Sequence, residues 1–136
     1  MPSAPPLVVA ASTVIRDGMG RILLVRRGHE PNKGRWSLPG GKALPGEDPR
    51  ATACRETREE TGLDIDVRRE LWTIRVPDGD RRIFEIHTFL ARNMVGEPRA
   101  ADDAAELLWA GAREFATLPL TANLRELLDA VGLRAV

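Results

Sequence analysis

Cys54 is the only cysteine of the chain, so no intrachain disulfide can form and nothing points to an oxidising compartment. Net charge is absent as well. Lys plus Arg and Asp plus Glu both number 20, and no long basic run occurs, which removes the positive field that polymeric nucleic acid requires. Long apolar runs are missing too: the uncharged stretch from Leu7 to Ile15 is too short to cross a bilayer. Met1 to Pro6 lacks the charged start of a signal peptide, and no internal repeat or low-complexity segment appears. The expectation is a cytoplasmic protein with small-molecule partners, no membrane and no nucleic-acid polymer. Nothing opposes a homodimer.

At 136 residues and 43% apolar content the chain is long enough for one core and too short for two ordinary domains. Residues 1–6 read as a loose proline-rich arm and residues 7–136 as a single domain. Leu7 to Arg16 and Arg21 to Arg27 are rich in Val, Ile and Leu and flank Asp17-Gly18-Met19-Gly20, a hairpin signal. Trp36 to Leu38 is a short extended piece leading into Pro39-Gly40-Gly41, where two glycines allow close backbone approach. Ile65 to Val76 and Arg81 to Arg92 form a second strand pair joined at Pro77-Asp78-Gly79-Asp80, and Glu106 to Ala110 reads as a last strand. Thr121 is placed to cap a closing helix with Leu124, Leu127, Leu128 and Val131 on one face. Strands mixed with two helices indicate a layered α/β domain.

The densest information lies between Gly41 and Leu63, GKALPGEDPRATACRETREETGL. Asp48 can cap the first free amides of a helix, Pro49 suits its first position and Gly62 suits its stop, which predicts a helix over 49–61. At 3.6 residues per turn Glu56, Glu59 and Glu60 fall within an arc of roughly 100°, and Glu47 sits just before the first turn. Like charges at these spacings cost about 0.2–0.5 kcal/mol per pair, which Arg50, Arg55 and Arg58 offset only in part. A bound cation would relieve the strain, and hard oxygen ligands suit Mg²⁺ or Mn²⁺ held jointly with substrate phosphates. On charge alone the same helix is a solvated face laced with ion pairs. Cys54, inside it, reads as a small packed residue.

The spacing separates these readings. The segment resembles the signature of the Nudix hydrolases: Gly, five residues, Glu, seven residues, Arg-Glu, an apolar residue, any residue, Glu-Glu, any residue, Gly, and an apolar residue. Gly41, Glu47, Arg55, Glu56, Glu59, Glu60, Gly62 and Leu63 are in register. Thr57 departs from it, standing where the family prefers an aliphatic side chain. The resemblance implies an α/β/α sandwich with a mixed sheet and a metal-dependent hydrolase of nucleotides. It implies metal ligation by Glu56, Glu59, Glu60 and the carbonyl of Gly40, a proton taken by Glu59 with Glu106 as second candidate, and Arg55 holding a neighbouring glutamate.

Arg26, Arg27, Arg35 and Lys42 are candidates for phosphate contact and equally for surface charge. Trp36 reads as a core anchor before a base-stacking residue, and His29 and His87 lie outside any metal-ligand spacing. For the substrate, the segments Arg82 to Phe89 and Leu118 to Thr121, with Pro77, look like those of the ADP-ribose-directed branch, although Thr88 stands where that branch would carry an acid. ADP-ribose leads; nucleoside triphosphates, including oxidised ones, are the alternative, and an inactive nucleotide sensor is the reading from the binding class.

Overall fold

A computed structural model describes residues 4–30, 32–101 and 104–136. The β-branched and leucine-rich segments form the expected strands: β1 Leu7–Val14, β2 Ile22–Arg27, β3 Trp36–Ser37, β4 Gly40–Lys42, β5 Asp64–Asp78, β6 Arg82–Val95 and β7 Ala104–Ala110. They are joined by helices α1 Pro49–Thr61, α2 Ala112–Thr117 and α3 Leu124–Ala130. One sheet runs β4-β1-β6-β5 and the other β3-β2-β7. Strand β1 pairs in parallel with β6 and antiparallel with β4, so the four-stranded sheet is mixed.

Helix α1 has the predicted bounds because its caps are where the sequence puts them. Asp48 Oδ1 accepts from Ala51 N at 2.9 Å, and Gly62 closes the helix in the left-handed region at φ 76°, a conformation that costs glycine no Cβ clash. One face of α1 packs on the four-stranded sheet, where Ala53 meets Ala11 and Phe89. Thr57, fully buried, directs its hydroxyl to Thr13 at 3.4 Å. The departure from an aliphatic residue is thus accommodated by a hydroxyl partner on β1. The larger core lies on the opposite side, where Val14 and Leu90 join Ile22, Leu24 and Ala110 beneath Phe115 of α2 and Leu124 and Leu128 of α3. Burying a side chain such as Leu24 contributes about 1.5–3 kcal/mol. With α1 on one side and α2 and α3 on the other, the layers are those of an α/β/α sandwich. No helix among the described residues is long and apolar enough to cross a membrane.

Several local expectations are corrected. The β1–β2 hairpin exists only at its tip, where Arg16 bridges Ile22; beyond it the two strands join different sheets, since each finds better apolar cover there. Gly40 and Gly41, read from sequence only as a place of close backbone approach, lie in an edge strand, β4. The second turn falls one to two residues later, at Gly79 to Arg81, because Pro77 pairs with Ile83 inside β5, and an edge strand tolerates a proline. Helix α2 is additional, started by Glu114 Oε1 accepting from Gly111 N at 2.7 Å. Thr121 makes no side-chain cap; Asn123, at φ 67°, occupies the N-cap of α3. The arm is tied at its last residue, Pro6 O accepting from Ile83 N at 2.9 Å, while residues 1–3 lie outside the described residues.

Candidate active site

Strand β4 and helix α1 lie side by side, and their contacts build the site. The bonds Thr13 N to Pro39 O, 3.0 Å, and Ala43 N to Val9 O, 2.9 Å, set the phase of the β1–β4 ladder. Ser12↔Gly40 and Ala10↔Lys42 are therefore its non-hydrogen-bonded pairs, and the backbone groups of Gly40 and Lys42 turn outward from the sheet. Helix α1 meets both. Glu60 Oε1 accepts from Gly40 N at 3.1 Å, and Arg55 Nη2 donates to Lys42 O at 2.9 Å.

Between those anchors Arg55 gathers three carboxylates. Its Nε and Nη2 reach Glu47 Oε2 and Oε1 at 2.8 and 2.9 Å, and its Nη1 reaches Glu56 Oε1 at 2.8 Å and Glu59 Oε2 at 3.0 Å. Glu47 is also held by Thr52 Oγ1 at 2.7 Å and Leu44 N at 3.1 Å. The Arg55 hydrogen bonds, with these two donors, outweigh desolvation and hold the Glu47 carboxyl at about 2. The Glu47 contact in turn pushes the Arg55 guanidinium up. The sequence pattern contains Glu47 without giving it a role; the structure makes it the principal partner of Arg55. Thr52 and the Lys42 carbonyl carry no sequence signal for the parts they play.

Space constrains both glycines, Gly40 against backbone and Gly41 against the end of a side chain. A Cβ on Gly41 would run into the Glu56 carboxylate, and one on Gly40 would run into the Ala11 carbonyl. Glu60, with only 8% of its surface exposed, is a buried carboxylate beside three others, a donor set of hard oxygens that suits a divalent cation. Among the described residues no three acidic, histidine or cysteine side chains converge at metal-ligand geometry, with Glu56 and Glu59 each giving an oxygen to Arg55. Arg50 and Arg58 take no part: Arg50 reaches Val67 O at 3.3 Å and Arg58 pairs with Asp64 at 3.5 Å.

The remaining candidates lie elsewhere. Glu106 pairs with Arg26 at 2.7 Å across β2–β7. Alternation from Leu107, which packs on the α1 side with Leu63, puts Glu106 on the face of Leu108, away from α1. The loop before β7 is nevertheless pinned to the site, because Ala101 N donates to Glu60 O at 3.0 Å. Arg35 donates to Leu120 O at 3.1 Å, and Trp36 sits in the core, its backbone bonded to Pro119 and Thr121. Arg27 faces Arg35 across the β2–β3 connection, its N–H donating to Arg35 O at 2.9 Å. Lys42 projects to the sheet face away from α1, its Nζ 5.9 Å from the Phe84 ring centroid. Burial raises the Cys54 thiol, consistent with packing. His87 bridges Glu70 and Glu85 by hydrogen bonds of 2.8 and 2.9 Å.

Comparison with known proteins agrees with this fold. The model of the NUDIX domain matches residues 6–131. The ADP-ribose pyrophosphatase of Methanocaldococcus jannaschii is 36% identical over 102 residues, 74% of this chain and 59% of that protein, so the chain spans less than two thirds of that relative. The CTP pyrophosphohydrolase of Escherichia coli is 33% identical over 129 residues, 93% of each chain. The crystal structure of a MutT NUDIX hydrolase from Burkholderia pseudomallei superimposes with a TM-score of 0.81 at 30% identity, covering 90% of this chain and 96% of that one. An acidic helix reading a glycine edge strand, a family model spanning nearly the whole chain and relatives at this identity lead to one conclusion: the chain belongs to the Nudix hydrolases, enzymes acting on nucleoside diphosphate derivatives.

Proposed function

We propose that the chain hydrolyses the diphosphate of a nucleoside diphosphate linked to a second moiety, ADP-ribose first, releasing AMP and ribose 5-phosphate with Mg²⁺ or Mn²⁺. The observation that carries this reading is the seating of Glu60 and Glu56 on Gly40 and Gly41, which brings carboxylates and bare backbone together where a diphosphate can approach. Glu56, Glu59, Glu60 and the Gly40 carbonyl would hold the metal, which when bound acidifies a water and neutralises the diphosphate. Arg55 keeps the carboxylates oriented and does no chemistry of its own. Glu59, whose side chain is 43% exposed and stands at the rim of the cluster, takes the proton of the attacking water; Glu106 is the second candidate for that base. Lys42, Arg26, Arg27 and Arg35 are the candidates for holding phosphate oxygens.

ADP-ribose is supported by the identity to the Methanocaldococcus pyrophosphatase. A second reading, hydrolysis of nucleoside triphosphates to a monophosphate and pyrophosphate, is supported by the end-to-end match to the CTP pyrophosphohydrolase. Steady-state kinetics on a nucleotide panel with product identification tests both. A kcat/KM for ADP-ribose above that for every common triphosphate is expected. Faster triphosphate turnover would install the second reading, and no turnover on any nucleotide would install a sensor. We further propose a cytoplasmic location.

A further inference from the structure

The end of the four-stranded sheet where β1 and β6 run out carries a feature that diphosphate hydrolysis leaves unused. Where β1 gives way to the Asp17–Gly20 turn, a cavity of about 410 Å³ opens between that turn and the end of β6, lined by Arg16, Arg92, Gly18, Gly20 and Met94 among others. This volume is within the range of about 300–1,000 Å³ typical of small-ligand sites. Among the described residues neither the Arg16 nor the Arg92 guanidinium has an ion-pair or hydrogen-bond partner. The one acid on the wall, Asp17, is already committed: its Oδ2 lies 2.7 Å from Arg21 Nε, and its Oδ1 accepts from the amides of Met19 and Arg21 at 3.0 and 2.9 Å. Among the described residues the lining therefore carries two arginines without a partner and one acid already paired with a third arginine.

The surroundings favour an anion further. Gly18 has no neighbour within 4 Å of where a Cβ would stand, so bare backbone is exposed there, whereas Gly20 is covered by Val136 and its N–H is given to Asp17 O at 3.1 Å. Arginine forks match the oxygens of a phosphate group better than a single-charge halide. Arg16 lies four residues beyond Ser12, the partner of Gly40, on the order of 13 Å of extended chain. This separates the cavity from the carboxylate cluster.

We propose that this cavity is a second, non-catalytic site for a phosphate group, bound by Arg16 and Arg92. The shared chemistry is a phosphate dianion, free or carried as a phosphomonoester. The proposed reaction would supply the ester as product, and only that choice of source rests on the proposed function.

The test uses the full chain, ¹⁵N-labelled, in EDTA, where the metal-free acidic cluster repels anions. Inorganic phosphate and, separately, ribose 5-phosphate are titrated against sodium chloride of matched ionic strength. Saturable shifts of the Gly18, Gly20 and Met94 amides are expected with phosphate and not with chloride. Arg16→Gln combined with Arg92→Gln should weaken binding by roughly tenfold or more, since each charge-assisted contact is among the stronger polar interactions. Both side chains are exposed, and an otherwise superimposable spectrum verifies the fold. Tighter binding of the ester names it as occupant, equal binding names the free ion, and either upholds the site. Shifts that only track ionic strength, or a double variant binding as the parent does, would overturn it. The substrate panel reads the active site independently, so failure of one leaves the other standing.

Discussion

Arg55 holds Glu47 in a two-pronged contact, Nε to Oε2 and Nη2 to Oε1, at 2.8 and 2.9 Å. With Glu56, Glu59 and the Lys42 carbonyl the five N–H groups of this guanidinium are all engaged. Lysine offers a single ammonium in place of the fork. Arg55→Lys is therefore expected to lower kcat or metal affinity by about 10–100-fold, the range for residues that orient ligands, with circular dichroism unchanged. Parental kinetics in that variant would remove Arg55 from its positioning role.

The same contact has a pH signature. Folding holds the Glu47 carboxyl at about 2, below its ordinary value of 4.5, through Arg55 first and Leu44 and Thr52 after it. A depressed carboxylate stabilises the fold fully above its unfolded pKa, and that contribution is lost as pH falls from about 4.5 toward about 2. Glu47→Gln should flatten this limb of a Tm-against-pH curve. An unchanged limb would mean that Arg55 does not discriminate the charged form.

Glu59→Gln and Glu60→Gln are each expected to cut turnover by about 10²–10⁴-fold, the scale of a lost general base, while the fold persists. Glutamine keeps an acceptor for Gly40 N and removes one charge from a repelling set, so the metal-free variants should be no less stable than the metal-free parent. Near-parental turnover in Mg²⁺ for either one would cancel its assigned role.

Gly41→Ala and Gly40→Ala should separate activity from stability. The new Cβ at residue 41 meets the end of the Glu56 side chain, which can swing aside, whereas at residue 40 it meets the Ala11 backbone, which cannot. The first variant should lose activity with little change in Tm. The second should lose about 1–3 kcal/mol of stability, as overpacked positions do; equal Tm values for the two would contradict the geometry.

For Glu106, the structure supplies a partner to vary alongside it. If Glu106 acts as a base, Glu106→Gln lowers kcat more than it raises KM, and Arg26→Gln does not reproduce the effect. If the 2.7 Å pair with Arg26 is its whole role, both variants should behave alike, with stability changes below about 1 kcal/mol. Kinetics on the pair decide between these outcomes.

What could be read from the sequence was what neighbouring residues encode together. Asp48, Pro49 and Gly62 mark α1 to the residue because capping is local, and the carboxylate register is contained in that one segment. The sheet to which β2 belongs depends on contacts with Ala104–Ala110, far along the chain, and no hairpin signal contains that information. Gly40 and Gly41 announce a close backbone approach without naming the partner; only β1 passing alongside makes them a strand. Helix α2, six residues long, is too short to establish a period. The direction in which Glu106 points follows from strand alternation, which a sequence shows only once the core face is known.

Strand β4 is the edge of its sheet and three residues long. An edge normally presents unpaired N–H and C=O groups to any passing chain. Here the outward N–H of Gly40 is taken by Glu60 and the outward C=O of Lys42 by Arg55. The side chains of the proposed reaction centre thus also shield the sheet from strand addition. Truncating them to alanine would expose a template for self-association, so those variants are expected to carry a solubility cost distinct from any loss of chemistry.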